Sequence, residues 1–285
     1  MAILLKGAEV ASAINERSQN QLRLMKVDGI SPTLAIVRVG EREDDISYEN
    51  GAVKRCEKVG VAVLHVVLPD DVTQKTLTFE IEKLNRDSSV HGVLIFMPLP
   101  KHLDSEKIRR LLSPEKDIDG ITYGSLTGVF TGSGEGFSPC TAQACMEILD
   151  YYKIDCTGKK AVVIGRSLVV GKPAAMLLLA KNATVTFCHT KTADMPSVTK
   201  NADILIVAAG KPKAIGSEYF SAHQTVIDVG INFLDGNMCG DVDFDAAEPL
   251  VGAITPVPGG VGTVTTSVLV NHVVEAAKRQ SAKQR

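Results

Sequence analysis

KKAVVIGRSLVVGKP, residues 159–173, is the stretch that decides the fold. A short apolar run at 161–164 stops at Gly165, and Gly171 opens a second apolar run that continues to Ala180. Strand, tight turn and helix in this order form the entry of a nucleotide-binding βαβ unit, in which free N–H groups at the helix start face a pyrophosphate. The stretch therefore predicts a Rossmann-like unit that binds a dinucleotide.

The charge of this turn indicates which dinucleotide binds. The GxGxxG fingerprint is absent, because five residues separate Gly165 from Gly171, so side chains take over part of the role of glycine backbone. No acidic residue stands at 187–192, at the end of the next predicted strand, where an NAD-binding unit generally places one for the ribose hydroxyls. A guanidinium instead suits the 2′-phosphate of NADP. We predict NADP, with NAD as the alternative, and the predicted cofactor residues are Gly165, Arg166, Ser167, Gly171 and Thr190, with Lys191 beside them. A βαβ unit with a solvated arginine and no nucleotide stays open.

The bulk composition excludes several classes of protein. A chain of 285 residues with 45% hydrophobic and 22% charged residues is typical of one large or two ordinary globular domains. Its net charge of −2 argues against a general nucleic-acid binder, and no apolar run is long enough to span a bilayer. The N-terminal stretch is too charged for a secretory signal, and six cysteines without a CxxC pair favour reduced thiols. We therefore expect a cytoplasmic protein with no metal, no nucleic acid and no membrane partner.

Strands and helices alternate in two blocks, which predicts parallel sheets with helices on their faces. In the first block the predicted strands are 34–39, 61–67 and 92–97, with helices at 44–58 and 73–84. In the second block the predicted strands are 161–164, 184–188, 204–208 and 225–229. A last helix is predicted at about 262–278, followed by a frayed tail from Arg279, and the loop-rich stretch 113–141 is interpreted as the crossover between domains.

Eight segments, in order, resemble the methylenetetrahydrofolate dehydrogenase/cyclohydrolase family. They are SY at 47–48, PLP at 98–100, PEKDIDG at 114–120, PCT at 139–141, GRSLVVGKP at 165–173, DVGIN at 228–232, GDV at 240–242 and TPVPGGVG at 255–262. Each segment alone is a weak signal, but eight in order over about residues 31–265 are very specific.

The resemblance implies an α/β fold of two domains with a cleft between them. The N-terminal three-layer α/β domain would be the folate-binding catalytic domain, residues 1–120 plus the last helix at about 265–285. Residues 121–264 would form the C-terminal NAD(P)-binding Rossmann-like domain. Members of the family are usually homodimers. They oxidise 5,10-methylenetetrahydrofolate to the 5,10-methenyl cation with NADP, and many hydrolyse that cation to 10-formyltetrahydrofolate.

The resemblance also assigns site residues. Tyr48 would line the folate pocket and Asp119 would hold the pterin, because a carboxylate accepts two hydrogen bonds from the amino and ring N–H donors. We take these two as the catalytic residues. The other expected substrate contacts are Phe96, Pro98, Leu99, Pro258, Gly259 and Gly260, and Ile231 is expected to contact the cofactor. Without the resemblance, Asp119 before Gly120 would be interpreted as a turn-capping residue.

Two departures from the family pattern concern one catalytic pair. The family has a lysine four residues after the tyrosine and a glutamine that touches it, where this chain has Ala52 and Phe96. Hydride transfer needs no base, whereas hydrolysis of the cation gains typically 10²–10⁴-fold from a tuned acid–base group. Lys54 lies six residues from Tyr48, on another side of the predicted helix, and is expected to be solvated. We therefore expect dehydrogenase activity with weak or absent cyclohydrolase activity.

Three alternatives remain at the level of sequence. The first is a fully bifunctional enzyme in which another group, or water alone, replaces the lysine. The second is a folate- or nucleotide-binding pseudoenzyme. The third is a different Rossmann oxidoreductase acting on a hydroxy acid or quinate-like substrate, against which the lack of an obvious Lys–Asp pair in the N-terminal block counts.

Overall fold

The computed structural model describes residues 1–284 and divides into two compact α/β units. The three-stranded unit comprises 13–140 and 266–284, and the six-stranded unit comprises 1–12 and 141–265. The strands are β1 (Ile3–Leu4), β2 (Thr33–Val39), β3 (Ala62–Leu68), β4 (Gly92–Ile95), β5 (Lys160–Ile164), β6 (Thr184–Cys188), β7 (Ile204–Val207), β8 (Thr225–Asp228), β9 (Asn232–Leu234), β10 (Asn237–Cys239) and β11 (Ala253–Ile254). The helices are α1 (Gly7–Val27), α2 (Glu43–Val59), α3 (Gln74–Arg86), α4 (Ser105–Leu111), α5 (Tyr123–Thr131), α6 (Cys140–Tyr151), α7 (Gly171–Ala180), α8 (Met195–Lys200), α9 (Phe244–Ala247) and α10 (Val261–Gln284).

The three-stranded unit has a parallel sheet in the order β3-β2-β4. β3 pairs with one side of β2, and β4, which follows β3 in the chain, pairs with the other side. The carboxyl ends of β2 and β4 therefore form a switch point, where α/β sheets bind ligands. α2 follows β2 and buries Ala52, Cys56 and Val59, which share one helix face. It ends at Gly60, whose φ of 98° is left-handed and whose N–H donates to the carbonyl of Cys56. This docking fixes the rotation of α2 about its axis and hence the direction of Tyr48.

The six-stranded unit has a fully parallel sheet in the order β1-β11-β8-β7-β5-β6. β5 lies inside the sheet, with β6 on one side and β7 on the other, so the Rossmann switch point lies at the carboxyl end of β5. Buried residues of its strands pack into one apolar core, among them Val162, Ile164, Leu205, Val207 and Val226. The predicted α/β class with a Rossmann-like unit is confirmed.

The stretch 113–141 differs from the predicted crossover. It contains α5 and the start of α6, and the two units divide after Cys140, whereas the sequence prediction set the boundary after residue 120. The fully buried Asp117 orders the turn before α5 by accepting the N–H groups of Ile121 and Thr122. The N–H of Val93 on β4 donates to the carbonyl of Lys116 at 2.7 Å, and Arg109 on α4 donates to the carbonyl of Ile121 at 3.0 Å, so the stretch is tied to the three-stranded unit.

The predicted frayed tail from Arg279 is wrong for the described residues. α10 continues to Gln284 because its last turns are bonded to loops of the same unit. Arg279 donates to the carbonyl of Gly136, and Gln280 donates to the carbonyl of His91. Within residues 1–284, no helix combines the length and apolar character that crossing a membrane requires.

Candidate functional site

Tyr48 and Phe96 meet at the switch point of the three-stranded unit. Tyr48 lies on α2, Phe96 directly follows β4, and both side chains are half-buried. Their ring centroids lie 5.9 Å apart with an interplanar angle of 86°, the edge-to-face arrangement that aromatic pairs prefer. Ala52, one helical turn after Tyr48, is fully buried. Ala52 and Phe96, where the family resemblance leads us to expect a lysine and a glutamine, thus carry a buried methyl group and an aromatic ring.

Two cationic side chains near α2 do not replace that lysine. Lys54 is exposed, which confirms the expectation that it is solvated. Arg38, on β2, is already paired with the carboxylate of Glu49, with its Nε 2.8 Å from Oε2. His65 on β3 contacts the other oxygen of Glu49 at 2.7 Å. The sequence analysis missed this cluster of Arg38, Glu49 and His65, for which an arginine inside the apolar strand TLAIVRV was the available signal.

Asp119 lies between β4 and α6 in sequence and belongs to the same unit. Burial raises the pKa of its carboxyl to about 6, against the opposing effect of hydrogen bonds from the thiol and the backbone N–H of Cys140. Burial, with the charge of Asp119 second, also raises the pKa of the Tyr48 hydroxyl well above its usual range. Tyr48 is therefore neutral at physiological pH, and Asp119 is the anionic group of this site.

The PLP segment closes the same end of the sheet. The Met97–Pro98 peptide is cis, Pro98 is exposed, and Leu99 is buried in the core of the unit. Arg42, before α2, donates to the carbonyl of Pro98 at 3.0 Å. The structure therefore brings Tyr48 and Phe96 into contact, with the PLP segment following Phe96 in the chain.

The glycines of the GRSLVVGKP turn are required by the turn itself. A Cβ at Gly165, where φ is 125°, would overlap the carbonyl oxygen of Ala208, and a Cβ at Gly171 would overlap that of Gly165. The Oγ of Ser167 accepts the N–H of Val170 at 3.1 Å, which closes the loop before α7. Arg166 is exposed. The turn thus presents a free guanidinium at the start of a helix, as the sequence predicts.

The end of β6 adjoins this turn. The N–H of Gly165 donates to the carbonyl of Cys188 at 2.9 Å, so the residues after β5 and β6 leave the sheet side by side. His189 accepts the N–H of Lys191 at its Nδ1, and both Thr190 and Lys191 are exposed. A hydroxyl and an ammonium therefore follow β6 where an NAD-binding unit generally places an acid.

The remaining predicted contacts belong to the six-stranded unit. Pro258 follows a cis peptide bond, Gly259 has a φ of 104°, and a Cβ at Gly260 would overlap the carbonyl oxygen of Pro256. Ile231 is 59% exposed, a large value for an isoleucine. Among residues 1–284, no group of three or more His, Cys, Asp or Glu side chains is arranged to hold a metal ion.

Comparisons with known proteins agree over nearly the whole chain. Residues 5–119 match the tetrahydrofolate dehydrogenase/cyclohydrolase catalytic domain, and residues 139–281 match the NAD(P)-binding domain of the same family. The chain is 50% identical over 281 residues to the bifunctional protein FolD of Carboxydothermus hydrogenoformans, covering 98% of each protein. The solved bifunctional enzyme FolD of Campylobacter jejuni is 38% identical with a TM-score of 0.95, covering 98% of this chain and 99% of that one. The enzyme of Trypanosoma brucei, solved with NADP and an inhibitor, is 33% identical with a TM-score of 0.91, covering 98% of each chain.

Proposed function

The chain belongs to the tetrahydrofolate dehydrogenase/cyclohydrolase family, and on that premise we propose that it oxidises 5,10-methylenetetrahydrofolate to the 5,10-methenyl form with NADP. The observation that carries this proposal is the similarity to bifunctional relatives over 98% of the chain. It is supported by a turn of cofactor-binding form after β5 and by the anionic Asp119 in the other unit.

The residues after β5 and β6 fit a phosphorylated dinucleotide. Gly165 and Gly171 shape the turn, Ser167 closes it, and Arg166 and Thr190 stand exposed at neighbouring strand ends. When bound, NADP would supply the hydride acceptor. The guanidinium of Arg166 favours its 2′-phosphate over a free ribose hydroxyl. We propose Ile231 as a further cofactor contact because its side chain is exposed in the same unit.

In the folate site, Asp119 accepts the N–H donors of the pterin, and Tyr48 with Phe96 supplies an apolar wall. We propose Pro98 and Leu99, which follow Phe96 in the chain, as further substrate contacts, and Pro258, Gly259 and Gly260 likewise. Loss of hydride from the methylene carbon leaves a cation delocalised over two nitrogens, so no residue has to remove a proton. The contribution of these side chains is to hold and orient the substrate.

Hydrolysis of the methenyl cation makes a different demand. The naming of the relatives as bifunctional favours full cyclohydrolase activity. The site's own residues favour a weak rate: Ala52 and Phe96 carry no proton, Lys54 is exposed, and Arg38 is paired with Glu49. We propose the weak rate, with the fully bifunctional enzyme as the second candidate.

One assay separates these functions. Purified protein is given methylenetetrahydrofolate with NADP or NAD, and NADPH or NADH formation is followed, then the decay of supplied methenyl cation. NADPH with slow decay supports the proposal, and decay well above the buffer rate supports the bifunctional alternative. Tight folate binding without NADPH or NADH would identify a pseudoenzyme.

Restoring the missing pair tests the cause of a weak rate. Ala52→Lys alone should recover little cyclohydrolase activity, because Phe96 leaves the new ammonium poorly solvated and lowers its pKa. Ala52→Lys with Phe96→Gln should recover more, and Lys54→Ala serves as the control that leaves the rate unchanged. Equal recovery in the single and double variants would contradict the coupling.

We also propose that the protein forms the homodimer usual in the family, which sedimentation at micromolar concentration tests.

A further inference from the structure

The thiol of Cys140 has more acceptors than protons. Cys140 is the first residue of α6 and is 1% exposed. Its Sγ lies 3.2 Å from the carbonyl oxygen of Ile118 and 3.7 Å from Nδ1 of His272, and it also bonds the carboxylate of Asp119. A thiol has one hydrogen, so it can donate to only one of these three groups at a time, and the choice depends on the other bonds that each group makes.

His272 on α10 decides between them. Its Nδ1 lies 2.8 Å from the carbonyl oxygen of Ile118. A carbonyl can only accept, so this nitrogen carries the hydrogen and cannot take the thiol proton. The bond from Nδ1–H takes one of the two lone pairs of this carbonyl oxygen and makes it a poorer acceptor for the thiol, which lies 3.2 Å away. The carboxylate of Asp119 carries a charge and is the stronger of the two acceptors left to Cys140.

The imidazole is held in this orientation by its neighbours. His272 is 5% exposed, and its ring packs on Phe137 with centroids 5.0 Å apart. The guanidinium of Arg279, two turns after His272 on α10, lies 4.5 Å from the centre of the Phe137 ring. Rotation of the imidazole away from Ile118 would break this packing.

We propose that His272 is a positioning residue for the dehydrogenase reaction: by occupying the carbonyl of Ile118 it directs the Cys140 thiol to Asp119 and keeps that carboxylate ionised and oriented for the pterin. The inference rests on the proposed function, in which Asp119 binds the pterin. Nothing in the hydride transfer itself involves His272.

The sign of the effect follows from the groups around Asp119. The titratable groups that face it are Tyr48 on α2, Asp117 on its own loop and Cys140 on α6, with His272 behind Cys140. Burial and Asp117 raise the pKa of Asp119, and the bonds from Cys140 lower it. Loss of the thiol bond should therefore raise this pKa further, and the acid limb of the pH profile should move to higher pH.

The test uses His272→Leu, which lacks a donor, and His272→Asn, whose amide can replace Nδ1–H. The control is His102→Leu, which removes a comparable histidine contact, from Nε2 to the carbonyl of Val72 at 3.0 Å. We measure kcat/KM for methylenetetrahydrofolate against pH at saturating NADP. His272→Leu should move the acid limb up by about half a unit to one unit, a roughly three- to tenfold loss below the limb, with the KM for NADP unchanged. His272→Asn and His102→Leu should keep the wild-type limb.

A second readout needs no turnover. The S–H stretch of Cys140, isolated by subtracting the infrared spectrum of Cys140→Ala, should shift to higher frequency in His272→Leu as the bond to the carboxylate is lost. An unmoved limb and stretch in His272→Leu, or equal shifts in the Leu and Asn variants, would overturn the proposal. His272→Met replaces His272→Leu if the latter does not fold. Wild-type protein that forms no NADPH refutes the proposed function, and the stretch still decides the role of His272.

Discussion

Each unit contains one carboxyl with a pKa that burial raises to about 6, and the two differ in the groups that donate hydrogen bonds to them. Asp228, at the end of β8, is 3% exposed and accepts three backbone N–H groups, from Gly230 at 2.9 Å, Asp241 at 3.1 Å and Val242 at 3.0 Å. Asp119 is half-buried and is bonded by the thiol and N–H of a single residue.

The difference separates a structural carboxylate from a binding one. Both oxygens of Asp228 are used to join the loops after β8 and β10, so little accepting capacity is left for a ligand. Asp119 retains free lone pairs beside Tyr48, and the cost of burying its charge is not recovered within its own unit. A half-buried carboxylate with few hydrogen bonds of its own is what a site for a donor-rich ligand needs, and the pKa alone does not distinguish Asp119 from Asp228.

Removing Asp119 should have the largest effect on activity. Asp119→Ala removes a charged, bidentate acceptor for the pterin, where each such bond contributes about 1.5–3 kcal/mol. We expect kcat/KM for methylenetetrahydrofolate to fall about 10²- to 10³-fold. Steady-state kinetics at saturating NADP measures this, and the KM for NADP is the internal control. The free energy of unfolding at pH 7 should not fall by more than about 1 kcal/mol, because few donors lose their partner. Retained activity would remove Asp119 from the folate site.

The matched change in the other unit should act on stability. Asp228→Ala leaves three buried backbone N–H groups without their acceptor, at about 1–3 kcal/mol each when no water replaces it. We expect the free energy of unfolding of this unit to fall by roughly 3 kcal/mol, measured by urea denaturation. If Asp228→Ala is as stable as the wild type, Asp228 is not a structural carboxylate, and the contrast with Asp119 fails.

Sequence patterns predicted the regular parts of both units. Apolar runs marked β2, β5 and β6, and the turn between β5 and α7 followed from its two glycines. The two-residue strands β1 and β11 escaped prediction because two residues show no periodicity, and they form only by pairing with each other and with β8.

The missed parts depend on tertiary contacts. α5, YGSLTGVFT, has the composition of a loop and is fixed by its Thr122 cap and by Asp117. His272 is a lone histidine on an apolar helix, and its contact with Ile118 joins positions 154 residues apart. The site residues Tyr48 and Asp119 were reached through the family resemblance, because no local pattern distinguishes Asp119 from a capping aspartate.

The smallest expected effect is the pH dependence of stability. The Asp119 carboxyl titrates near 6 when folded and near 3.8 when unfolded, so between these values the folded state binds more protons. Its contribution to stability is therefore present below about pH 4 and is lost as pH rises through 6. Asp119→Asn has no such proton, so its stability relative to the wild type should grow by about 1–3 kcal/mol from pH 4 to pH 7. Asp228 is unchanged in both proteins and cancels. Urea unfolding of both proteins at the two pH values measures this difference. If the stability of Asp119→Asn relative to the wild type stays constant or falls from pH 4 to pH 7, the charge of Asp119 is compensated within its own unit, as the charge of Asp228 is by its three N–H donors.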